Sequence, residues 1–168
     1  MSLIPPDVRQ ARDFRIIKGT DDNIIRTDYE IDAAVTDVAL GEYVVLNASN
    51  KVTKANGQAL AAPAQNVACS WTLYAKNDTF AGQSDAVATN QLTCISGSFQ
   101  AQTKMFESTG TFTAGFLLVV RESSTVTGLG VLDAVDGDSA SAKQIAASVG
   151  RVIGLSGGIL TYRSNGAA

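Results

Sequence analysis

From Phe14 onward, short runs of β-branched and aromatic residues recur along the chain, each cut off by glycine, asparagine, aspartate or serine. This is the pattern that most limits what the chain can fold into. In "IIRTDYEI", Ile25, Thr27, Tyr29 and Ile31 alternate with Arg26, Asp28 and Glu30. A period of two is that of a strand with one wet face. "FRIIK" and this run bracket "GTDDN", a stretch of turn formers. "GEYVVL" and "KVTKA" flank "NASN", which reads as a hairpin with a polar loop. "AAVTDVAL", just before it, fits either a helical turn or a strand. In "SFQAQTKMFE", Phe99, Ala101 and Thr103 alternate with Gln100, Gln102 and Lys104. Gly97 stands before them as a bulge or turn.

"NVACSWTLYA" reads as a further strand, and "KNDTFAGQSDAVATNQ" as an irregular excursion or short hairpin. The most apolar stretch, "TFTAGFLLVVRES", predicts a central strand, and "TVTGLGVLDAV" a weaker one. "DGDSASAKQIAASVG" predicts one short helix around Ser141 to Ser148. "VGRVIGLSGGILTYRS" places two β-rich runs either side of "SGG", which predicts a three-residue hairpin loop with a left-handed glycine. Many short strands at even spacing predict an all-β fold, a compact β-barrel or β-sandwich with at most one or two short helices. The single β domain is expected over 14–168. Pro5 and Pro6 favour an extended path over 1–13, with a short helix across "PDVRQARDF" as the alternative; the segment reads either as a frayed terminus or as an N-terminal arm whose Leu3, Ile4, Pro5, Pro6 and Val8 are the candidate interface residues.

The pattern "GLSGG", Gly154 to Gly158, matches G-x-S-x-G, the nucleophile elbow of α/β-hydrolases. That motif needs a helix after the serine, and here "ILTYRS" follows. The chain has no histidine, so no imidazole is present to take the Ser156 proton. Ser156 reads as a small turn residue, with Gly157 or Gly158 supplying the positive φ. The lack of imidazole also weakens zinc, copper and iron readings. Asp133, Asp136 and Asp138 in "DAVDGD" carry oxygen ligands that suit Ca²⁺, but the spacing is not that of an EF-hand and a solvated loop is the simpler reading. Asp21 and Asp22 read as turn chemistry. "GLG" at Gly128 to Gly130 lacks the third glycine of a dinucleotide fingerprint. No catalytic residue, cofactor or metal site is expected, and the chain is not read as an enzyme.

Charged residues make up 17% of the chain and the formal net charge is −3. With so little charge, Ala, Ser, Thr, Asn and Gly dominate the polar surface, which offers little self-repulsion between copies. The lysines and arginines are scattered singly along the sequence, so no nucleic-acid partner is expected. "GFLLVV" is far shorter than a membrane span, and "MSLIPPDVRQARDF" holds no apolar stretch of signal-peptide length. No membrane partner is therefore expected. The "NAS" and "NDT" sequons at Asn47 and Asn77 then read as chance matches. Cys69 and Cys94 are too few for a disulfide framework and read as buried thiols from a reducing compartment, with a single bridge as the alternative. Trp71 and the tyrosines sit inside strand patterns and read as core. A sugar-stacking role for Trp71 is the alternative.

An extended arm followed by "GEYVVLNASNKVTKA", "SGSFQAQTKMFE", "TFTAGFLLVV" and "ASVGRVIGLSGGILTYR" resembles the capsid decoration, or cement, proteins of tailed bacteriophages. The resemblance spans residues 14–164 and rests on strand cadence, not on signature residues. It implies a structural virion protein, made in the host cytoplasm and bound to the capsid exterior. Its partners would be the major capsid protein and itself, as a homo-oligomer with a trimer favoured. The alternatives are a tail-tube or other virion component and a small carbohydrate-binding module.

Overall fold

The computed structural model describes residues 14–19, 23–38, 41–63, 67–68 and 90–164. The residues called an arm, 1–13, lie outside them. So do Asp21, Asp22, Cys69, Trp71, Asn77 and the whole of 69–89. The described chain is all-β and antiparallel in its sheets, with one short helix.

The described residues form eleven strands: β1 (Phe14–Lys18), β2 (Ile24–Glu30), β3 (Val44–Leu46), β4 (Val52–Thr53), β5 (Val67–Ala68), β6 (Gln91–Gly97), β7 (Gln100–Thr103), β8 (Leu117–Glu122), β9 (Gly130–Val135), β10 (Gly150–Ser156) and β11 (Ile159–Ser164). A six-stranded sheet runs in the order β1-β7-β11-β10-β8-β9, beside a β2-β6 pair and a β4-β3-β5 sheet. The expected central strand is β8, held between β10 and β9, with Leu117 to Val120 all buried. The "NASN" hairpin is β3–β4, with Asn50 at a φ of 57° and Asn47 closing the loop onto Lys51. "AAVTDVAL" forms neither a helix nor a strand where it is described. It turns at Ala33–Ala34 and buries Val35 and Val38.

The alternation read from sequence sets the core. Phe99, Ala101 and Thr103 point inward from β7, as do Leu160 and Tyr162 from β11. They meet Leu118, Val120 and Leu132 in the larger cluster. Phe99 stacks edge-on against Tyr162, with ring centroids 6.4 Å apart. The Tyr43 and Tyr162 hydroxyls hydrogen-bond at 2.9 Å across 119 positions of sequence, which pairs two polar tips inside the core. A smaller cluster of Ile31, Val35, Val38, Val44, Val52, Leu92 and Cys94 lies behind the β2-β6 pair. Along β2 and at Ile31 just past its end, Thr27, Tyr29 and Ile31 turn inward, but Ile25 is 50% exposed. Alternation assigns Ile25 a face without saying how far along the strand the core extends.

Close approach of another backbone demands glycine at Gly130, Gly97 and Gly150, the last 2.3 Å from the Arg163 carbonyl oxygen if it carried a Cβ. A Cβ on Gly130 would sit 1.6 Å from the Tyr43 carbonyl oxygen, and one on Gly97 would sit 2.1 Å from that of Asn23. Gly97 also has a φ of 103°, and there the chain leaves the β2-β6 pair for the six-stranded sheet. The helix, α1 (Ala142–Ala146), is shorter than the predicted Ser141–Ser148. Ser141 caps it in a reciprocal box with Gln144, whose amide also donates to the Leu60 carbonyl at 2.8 Å.

Candidate functional site

The "GLSGG" stretch is the turn of the β10–β11 hairpin. Ser156 is the last residue of β10 and pairs with Ile159, so the loop is two residues, not the three that "SGG" predicts. Gly157 and Gly158 have φ of 57° and 73°. Positive φ at both positions of a two-residue loop matches the right-handed strand twist, which favours glycine. Nothing lies within 4 Å of a Cβ at either position, so the demand is on backbone conformation alone. With a strand on each side, Ser156 is not in the strand-to-helix geometry of a nucleophile elbow.

The other candidates do not converge either. Asp133 is buried in β9 and paired with Arg121 at 3.1 Å. Asp136 and Asp138 are exposed, and the Asp136 carboxylate accepts the Asp138 backbone N–H at 3.1 Å. Among the described residues no three acidic, cysteine or histidine side chains are gathered for a metal ion. In "GLG", the Gly128 and Gly130 N–H groups are taken by the protein's own Glu122 and Glu42 carboxylates, at 2.6 and 3.3 Å. Leu3, Ile4, Pro5, Pro6 and Val8 lie outside the described residues. Their attachment point is β1, which has β7 as its one strand neighbour in the six-stranded sheet.

Two buried carboxylates went unnoticed in the sequence. Glu42 is fully buried and meets the Lys54 ammonium at 2.6 Å. Glu107 is 2% exposed. Its carboxylate accepts the Ser124 N–H and hydroxyl at 2.8 and 2.7 Å and the Thr109 N–H and hydroxyl at 3.5 and 3.3 Å. Burial pushes its pKa up, but these donors and the Arg121 charge outweigh burial and hold it at about 2. Such a carboxylate is not poised to exchange a proton near neutral pH. Glu107 also bonds backbone to backbone with Leu132, so it ties the 105–107 segment and the β8–β9 loop to the outer edge of β9.

The feature most open to a partner is the outer face of β1-β7-β11-β10. Lys18, Gln100, Arg163 and Arg151 follow one another across these four strands in register. Residues paired directly across strands share a face, so the row is continuous. Arg15 pairs with Gln102, which pairs with Thr161, in the next row. Lys104 follows at the end of β7 and is exposed. At two register shifts, one in β1 and one in β10, Ile17 and Ile153 are extra residues, and they are 42% and 41% exposed. Where Lys18 and Arg163 approach Asn23, Ser98 and Gln100, the surface dips into an open cleft of about 420 Å³. Five of the chain's 13 lysines and arginines are thus gathered on or beside one face. Among the described residues, none of the five has a carboxylate within ion-pair distance. The sequence shows these cations as scattered. A periodicity reading gives each one an outward position, but only the strand order makes them neighbours.

Compared with models of known protein families, with curated proteins and with solved structures, the chain matches none.

Proposed function

We propose that this protein is a structural virion component that binds the outer surface of a phage head and stabilises the capsid lattice, working by docking and without catalysis. The observation that carries the reading is an all-β body whose outermost strand, β1, follows directly on residues 1–13 and borders an open, solvent-facing sheet. A rigid sheet presents a fixed contact surface. An arm leaving its edge would add contacts whose ordering cost falls at binding, and copies repeated over a lattice supply avidity. The major capsid protein is the proposed partner. Self-association into trimers would place such bodies where capsid subunits meet.

The test is co-sedimentation and negative-stain imaging of the full chain, and of a form lacking residues 1–13, with empty heads assembled from the capsid protein of the same genome. The full chain is expected to decorate the heads. The shortened form should keep its circular-dichroism melt and lose most of its occupancy. Equal occupancy by both forms would remove the arm from the mechanism. Failure to bind heads, with rings or tubes formed by the purified protein alone, would replace decoration with a tail-tube role.

A further inference from the structure

We infer that the outer face of β1-β7-β11-β10 is an electrostatic docking surface for a carboxylate-rich surface of another protein. This names the contact face of the binding protein proposed above and rests on that reading only for the identity of the partner.

The argument begins with charge. The chain is net negative, at −3, yet β1, β7, β10 and β11 contain no aspartate or glutamate. Arg15, Lys18, Arg151 and Arg163 stand exposed on one side of these strands, with Lys104 beside them. Like charges this close repel one another, and the arrangement relaxes when an acidic partner arrives. Arg151 is partly provided for, since it donates to the Gly115 carbonyl at 3.0 Å and lies beside the Asp136–Asp138 turn. Arg15, Lys18, Lys104 and Arg163 form the part of the face with no such neighbour among the hydrogen bonds and ion pairs of the described residues. Between them, Gln100, Gln102 and Thr161 offer amide and hydroxyl groups, and Ile17 and Ile153 offer apolar contact. Arginine is among the residues enriched at protein–protein contacts.

Two other occupants fit less well. A single-stranded nucleic acid on a sheet needs aromatic rings to stack its bases. Here the two rings of these strands whose side chains are described, Phe99 beside β7 and Tyr162 in β11, point into the core. A second copy of this chain would need to offer carboxylates. Among the described residues, Glu30 is paired with Lys51 and Asp37 with Lys54, and the exposed Asp136–Asp138 turn already stands beside Arg151.

The test uses the full ¹⁵N-labelled chain and three probes: a ten-residue polyglutamate peptide, a fifteen-residue oligothymidylate, and the protein's own concentration. The peptide is expected to shift amide signals of β1, β7, β10 and β11 saturably, leaving those of β2 and α1 unmoved. The exposed quadruple variant Arg15→Gln, Lys18→Gln, Lys104→Gln, Arg163→Gln should bind it at least roughly tenfold more weakly. The control Lys51→Gln, Lys143→Gln should bind as wild type. Shifts spread over all lysine-bearing surfaces, or an unaffected quadruple variant with an unchanged melt, would overturn the inference. Tighter binding of the oligothymidylate on this face would reassign it to nucleic acid, and concentration-dependent shifts at the same amides would reassign it to self-contact. The same variants on empty heads separate the two readings. Peptide mapping here without head binding removes decoration and leaves the face. Head binding unaffected by the quadruple variant, with no peptide mapping, removes the face and leaves decoration.

Discussion

The substitution Glu107→Gln isolates what a buried charge contributes to this fold. Glu107 joins three pieces: its own 105–107 segment, paired with Leu132, the Thr109 turn, and Ser124 in the β8–β9 loop. A carboxylate held at about 2 in place of its ordinary 4.5, at roughly 1.4 kcal/mol per pH unit, stabilises the fold by about 3 kcal/mol. The folded-state pKa is the depressed one. The contribution is therefore complete above the unfolded value and is lost as pH falls toward the folded one, with about 2 kcal/mol gone by pH 3. Glutamine keeps the shape but turns an N–H₂ toward Ser124 and Thr109 groups that already donate, so its cost at neutral pH is of similar size, about 2–3 kcal/mol. Urea unfolding followed by far-UV circular dichroism, from pH 7 to pH 3, measures both proteins. The wild type should lose stability across that window more steeply than the variant, so that the gap between them narrows by about 2 kcal/mol. A gap that stays constant with pH would show that Glu107 acts through shape and not through charge.

At the β10–β11 turn, Gly158→Val should lower stability by about 1–2 kcal/mol through its forced positive φ. Ser156→Ala should stay within about 0.5 kcal/mol of wild type in thermal melts; the reverse ranking would mean the serine, not the glycine pair, holds the turn. For the buried hydroxyl pair, Tyr43→Phe and Tyr162→Phe should each cost about 1 kcal/mol or more. The double variant should cost less than their sum, because the two hydroxyls share one hydrogen bond that either substitution already removes. Additive costs in the urea midpoint would show that the two hydroxyls act independently.

Much of the fold was legible because alternation is local. Side chains of a strand point to opposite faces in turn whatever lies beside it. "SFQAQTK" therefore showed that Phe99, Ala101 and Thr103 turn inward, and "IGLSGGIL" showed a glycine turn between strands. Details that depend on pairing were not legible. The "SGG" loop is shorter than read because Ser156 pairs with Ile159, and Ile25 is exposed because the smaller cluster closes around Ile31 and Tyr29. Nothing in "SFQAQTKMFE" singles out Glu107. Its burial depends on Ser124, a partner 17 positions away.

Local sequence is enough to establish that this chain forms short strands, that it turns at Gly157–Gly158, and that it has no imidazole with which to build a serine triad. Each of those follows from residue type and nearest neighbours. That cations at positions 15, 18, 151 and 163 share one sheet face, with Lys104 beside them, is a property of the folded chain alone. Strand order is set by long-range packing of the inward residues around Tyr43, Phe99 and Tyr162. The outward residues become neighbours as a consequence, and no pattern along the chain records which ones they will be.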